Sequence, residues 1–194
     1  CQLPTYLYSF AAGNFQEETA VRDRRPMRIL HRETDPDKVA QIPQIFDEAA
    51  QSLKWMEGYT GIACPFKEYG LLALPGYQFG GMEHPGAIQM NARRIFLEKN
   101  ATEEEKAARL ELIAHETAHL WFGDLVSLKW FEDVWAKEVL ANFMASKITR
   151  RKFSRVDHEL NFLKTHQTRA IAIDRTDGTH PIAQELMNMN HASL

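Results

Sequence analysis

Five consecutive residues, His115-Glu116-Thr117-Ala118-His119, carry the side chains that metal-assisted hydrolysis needs. On an α-helix, positions four apart differ by only about 40° in direction and one turn in height, so both imidazoles can reach a single ion. Glu116 lies about 100° round from His115, off the ion itself but able to approach a ligand bound to it. Two neutral nitrogens on a metal, with a carboxylate beside its water, is the geometry of zinc-activated hydrolysis. Buried histidines can also satisfy themselves on carbonyl groups, so the motif needs support from its surroundings.

Two other segments offer that support. Glu138 follows His119 with eighteen residues between, on a helical face with Val134, Ala141 and Ala145. An ionised carboxylate there is expensive unless paired or metal-bound. Lys137 is adjacent in sequence but points about 100° away, which argues against it as the partner. Two histidines and one glutamate would leave the fourth tetrahedral position open, as in a catalytic zinc site. The second segment is Gly80-Gly81-Met82-Glu83-His84-Pro85-Gly86. Its glycines permit close backbone approach, and proline with glycine enforces an irregular turn. Glu83 there is either a solvated loop carboxylate or the anchor for a cation such as a peptide's free α-ammonium group.

These residues must be held by a fold. Apolar or alternating runs bounded by Gly, Pro or Asn predict strands at 6–12, 27–31, 69–74 and 87–90. A first helix opens with Asp35 as N-cap and Pro36 at its first position. It continues through Val39, Ile42, Phe46, Ala49 and Leu53 to Gly58. The second opens at Thr102, with Glu105 completing a capping box, and runs through His115 and His119 to Trp121. Glu103, Glu104 and Glu105 read as a solvated first turn complementing the helix dipole rather than as a metal site. A third helix is expected over 131–149, with Trp135, Leu140 and Phe143 among its apolar residues, and a fourth over 157–173. Trp55, Trp121, Trp130 and Trp135 are expected in the core.

The whole chain sets the frame. Its 194 residues, 44% hydrophobic and 25% charged, have a globular composition and suffice for one domain or two small lobes around a cleft. A net charge of −3 lacks the basic excess of a nucleic-acid binder. No apolar run approaches the roughly 18 residues of a membrane span. Two cysteines, Cys1 and Cys64, exclude a disulfide framework. The chain starts with Cys and enters a strand-like run at once, and is expected to be a piece of something longer.

Together the motifs resemble the zinc aminopeptidases of the alanyl aminopeptidase (aminopeptidase N) and leukotriene hydrolase family, which are gluzincins. The family's G-x-M-E-N motif is matched by Gly80 to His84, its H-E-x-x-H by His115 to His119, and its glutamate eighteen residues on by Glu138. The stretch from His119 to Val126 is similar to H-x-W-F-G-N-L-V, and Asp177 to Ile182 to a further family segment. The resemblance implies one Zn2+ per chain on His115, His119 and Glu138, with Glu116 as general base. It further implies that Gly80, Gly81, Met82, Glu83 and His84 bind substrate, with Glu83 on the α-amine of peptides with a free N-terminus.

The fold so implied is α+β and thermolysin-like. A small mixed sheet with helices, about 1–100, would pack on a mainly helical lobe, about 101–194, with a zinc cleft between. Four positions depart from the pattern: His84 and Lys137 replace Asn, Val139 replaces Gly, and Asp124 replaces an Asn, as a turn or cap residue. The family's oxyanion tyrosine would fall beyond Leu194, and no Tyr follows Tyr77. The flanking domains of the family are missing too. A zinc-binding fragment with little turnover, or an epoxide-type hydrolase, are the alternatives to a peptidase.

Overall fold

The computed structural model describes residues 3–179 and 181–182. A five-stranded mixed sheet has the order β1-β2-β3-β5-β4, formed by β1 (Gln16–Arg22), β2 (Arg25–His31), β3 (Tyr69–Leu74), β4 (Gly81–Met82) and β5 (Ile88–Asn91). The central strand β3 runs parallel to both neighbours, β2 and β5. Its near-continuous apolar sequence suits a strand covered on both faces. The edges are antiparallel: β1 returns on β2, and β4 on β5. Asp23 and Arg24 make the first hairpin tip, with φ of 48° and 63°, the paired positive values of a tight turn matched to strand twist.

Two strand expectations change. Residues 6–12 form no strand; a 3-10 turn, Thr5–Leu7, is followed by irregular chain in which Tyr8 and Phe10 are exposed. The edge strand is instead β1, largely exposed and polar, held by its backbone ladder to β2.

The first helix is split into α1 (Pro36–Val39) and α2 (Ile42–Thr60). Pro43 has no N–H, and its ring would crowd the carbonyl four residues back, so one helix cannot run through. Asp35 caps α1 by accepting from Asp37 N at 2.9 Å. The end of α2 lies at Gly61 (φ 68°), not Gly58. Ile45, Phe46, Ala49, Leu53 and Met56 form its buried stripe against the sheet side of the core.

A short α3 (Ala92–Ile95) precedes α4 (Glu103–His119). The capping box is complete: Glu105 N donates to Thr102 Oγ1 at 3.2 Å, and Thr102 N to Glu105 Oε2 at 2.8 Å. Glu103, Glu104 and Glu105 are exposed, as expected of a solvated first turn. Helix α4 packs against α2, α3, β4 and α5 (Val134–Lys152). It ends at His119, two residues before the expected Trp121.

The buried face of α5 is Lys137, Ala141, Met144, Ala145 and Ile148, whereas Trp135, Val139, Leu140 and Phe143 are exposed. Trp130 is exposed as well, so of the four tryptophans only Trp121 is fully in the core, with Trp55 partly buried and stacked on Tyr59. The expected fourth helix is α6 (His158–Phe162), a π-helical turn (Leu163–Gln167) and α7 (Thr168–Asp174). No helix among the described residues is long and apolar enough to cross a membrane.

Candidate metal centre and active site

Helix α4 places both histidines of the motif at its C-terminal end. His115 Nε2 and His119 Nε2 lie 3.0 Å apart, and Glu138 Oε2 lies 3.4 Å from the first and 3.5 Å from the second. A tetrahedral ion with bonds of about 2.0–2.1 Å has ligand–ligand edges of about 3.3 Å, so this triangle fits one face of a zinc site. His119 Nδ1 stands 2.9 Å from Phe122 O; the carbonyl accepts a hydrogen bond from Nδ1–H, which keeps the ring proton on Nδ1 and leaves the Nε2 lone pair free for a metal. His115, Glu116 and His119 also form a group whose ligand atoms all lie within 4.8 Å of one another.

Glu116 is 3% exposed and packs against β4. A Cβ on Gly81 would fall inside its carboxylate, so this glycine is dictated by the neighbour across it. Burial pushes the Glu116 carboxyl up to about 8; His115 opposes the shift, and Glu83 and Glu138 add to it. Thr117, inside the motif, donates to Ile113 O at 2.7 Å and bonds the Tyr69 hydroxyl at 2.8 Å, fastening α4 to β3.

Glu83 is 2% exposed, which removes the reading as a solvated loop carboxylate. It anchors a cation, and the cation is Lys137 of α5: the ammonium bonds Glu83 Oε1 directly. Burial opposes the Glu83 charge, but His119 and Lys137 outweigh it and hold the carboxyl below its usual range. The same ammonium stands 3.4 Å from Glu138 Oε1. The expectation that Lys137 points away from Glu138 is therefore corrected. Its flexible four-carbon stem crosses the angle between their Cβ directions, and its side chain lies on the buried face of α5. Burial also works against the Glu138 charge; both histidines and Lys137 nonetheless keep that carboxyl far below its usual range.

The other loop residues play distinct parts. Gly80 O accepts from Asn91 N at 2.9 Å, and Gly81 and Met82 form the edge strand β4. His84 is buried with Nδ1 2.9 Å from Leu7 O, and burial lowers its pKa, so a neutral ring donates to that carbonyl. That bond pins the Thr5–Leu7 turn over the loop, and the Tyr6 ring lies 5.1 Å from the Lys137 ammonium. Asp124 accepts at neither side-chain oxygen, although its backbone N makes the expected turn to His119 O at 3.0 Å. Burial, reinforced by Glu83, pushes its carboxyl up to about 8. Of the Asp177 to Ile182 segment, His180 lies outside the described residues.

Sequence reasoning missed Lys137 and Asp124 as members of this cluster. The available signal was a lysine immediately before Glu138 in an otherwise apolar stretch, where α5 turns the residue inward.

The chain is 31% identical over 97% of its length to a leucyl aminopeptidase of Saccharolobus solfataricus, covering 24% of that protein. It is 30% identical over 93% of its length to a probable aminopeptidase 2 of Sulfurisphaera tokodaii, covering 23% of it. A puromycin-sensitive aminopeptidase of Caenorhabditis elegans is 29% identical over 97% of the chain and 20% of the relative. The chain thus spans about a quarter of the length of these relatives or less. Residues 44–193, most of the sequence, match the peptidase family M1 domain, and the protein belongs to that family.

Proposed function

We propose that this chain is the catalytic domain of a zinc-dependent aminopeptidase that removes residues from the N-termini of peptides. The observation that carries the reading is the triangle of His115 Nε2, His119 Nε2 and Glu138 Oε2, with the Glu116 carboxylate in the same cluster. Those three residues would hold the zinc. When bound, zinc supplies Lewis acidity and lowers the pKa of a water towards about 7.

The protein's own residues then divide the work. Glu116 takes the proton of the attacking water and delivers it to the leaving amine. Glu83 orients the substrate through its free α-amine, so one residue leaves at a time. Among the described residues strand β4 pairs with β5 alone, and the backbone of Gly80, Gly81 and Met82 lies at a sheet edge suited to receive an extended peptide. His84 holds this loop through Leu7 O. We read residues 1–194 as one such catalytic unit, the sheet-bearing part and the helical part meeting at the cleft.

The test is Glu116→Gln in the zinc-loaded protein, with an aminoacyl anilide as substrate. Loss of a general base predicts a fall in kcat of about 10²–10⁴-fold with bound zinc still near one per chain. Turnover equal to wild type in that variant would overturn the assignment.

A further inference from the structure

We infer that Lys137 is a resident competitor for the amine-binding carboxylate and sets how strongly the site selects for a free N-terminus. The inference deepens the aminopeptidase reading and rests on Glu83 as the amine anchor. Lys137 is enclosed: its side chain is 4% exposed and that of Glu83 3%. The ammonium meets Glu83 Oε1 on one side, Glu138 Oε1 at 3.4 Å on another, and the Tyr6 ring at 5.1 Å. The stem passes Gly123 so closely that an added Cβ there would lie 3.4 Å from Lys137 Cδ. A lysine so confined is not snorkelling to solvent, and its charge is committed to the two glutamates.

The consequence is electrostatic. A substrate α-ammonium that approaches Glu83 meets a carboxylate already carrying one ammonium, within a few ångströms of the newcomer. In a partly buried site, like charges at that range repel appreciably. The attraction that would reward a free amine is thereby reduced. A blocked N-terminus, which brings a neutral amide N–H, loses little by comparison. Lys137 acts through Glu83 and is a positioning residue that compresses the difference between free and blocked N-termini.

The experiment measures binding rather than turnover, in a Glu116→Gln background loaded with zinc. Dissociation constants of leucinamide and N-acetyl-leucinamide are determined by NMR titration for Lys137, Lys137→Asn and Lys137→Arg proteins. Lys137→Asn should tighten leucinamide about tenfold and leave the acetylated ligand unchanged, the scale expected for losing one like charge at such a site. Lys137→Arg should behave as the parent, which a purely structural role of the lysine stem would not require. Lys137→Met, closer in shape, repeats the measurement if the Asn variant does not fold. An unchanged ratio of the two constants, or no measurable binding in any variant, overturns the inference. Failure of the aminopeptidase reading would show separately, as absent hydrolysis by the zinc-loaded protein with Glu116 intact.

Discussion

At the residue scale, Gly81 and Asp124 bear most directly on the chemistry. Gly81 leaves the space that the Glu116 carboxylate fills. Gly81→Ala must therefore shift that side chain or the strand, at a cost of about 1–3 kcal/mol for overpacking. Displacement of the base by about an ångström predicts a loss of about 100-fold in kcat with zinc content unchanged, read by anilide hydrolysis and elemental analysis of one sample. Asp124 predicts a pH effect. Its carboxyl is raised from 3.8 to about 8, so the native state keeps a proton that the unfolded chain releases between those values. This group's contribution to stability is thus intact below about 4 and declines as pH rises through about 8. Relative to wild type, metal-free Asp124→Asn should gain about 4–5 kcal/mol on going from pH 4 to pH 8, read by urea unfolding at both. A difference that stays flat with pH would contradict the assignment.

The same scale separates what sequence makes legible from what it does not. His115, Glu116 and His119 could be placed because helical periodicity is local, and Glu138 because its spacing from them is a recognisable motif. Lys137 could not be placed, because its role depends on Glu83, 54 residues away and on another element. The bond from His84 to Leu7 O spans 77 residues and was equally hidden.

At the scale of elements, α2 and α4 are joined by the buried pair of Glu48 and Arg109. Arg109 Nε donates to Glu48 Oε2 at 3.0 Å and Nη2 to Oε1 at 3.1 Å, while Nη1 bonds Gln41 Oε1 at 2.8 Å. Arg109→Met would leave the buried Glu48 carboxylate with the Gln44 amide at 3.0 Å and Lys152 at 3.4 Å but no charge partner in close contact, and should cost about 3 kcal/mol. Replacing both partners, as Glu48→Leu with Arg109→Met, should recover most of that loss in denaturant unfolding. A single variant as stable as wild type would remove this pair from the account of how α4 is held. Elements with strong local signals were legible: Asp35 capping α1 and the Thr102–Glu105 box opening α4. Strand β1 was not, because an exposed polar edge strand is specified by its ladder to β2 rather than by apolar alternation. Residues 6–12 show the converse, an apolar run that pairs with no strand among the described residues.

At the scale of the molecule, the site joins the sheet edge and the helices: β4 and its loop supply Glu83, α4 supplies His115, Glu116 and His119, and α5 supplies Lys137 and Glu138. A ligand that binds only when these parts are assembled must stabilise the whole. Zinc at a hundredfold excess over its dissociation constant should add about 2.7 kcal/mol, raising Tm by roughly 5–10 °C for a chain of this size. Chelation should reverse the shift, as followed by circular dichroism.

The most direct measurement is the zinc content of the purified chain by elemental mass spectrometry, beside that of His119→Ala, Glu138→Gln and Glu116→Gln. Convergence of two imidazoles and one carboxylate on a single ion predicts one zinc per chain in the wild type and in Glu116→Gln, and a large loss in the other two. A wild type without zinc, or full occupancy after Glu138→Gln and His119→Ala, would contradict it.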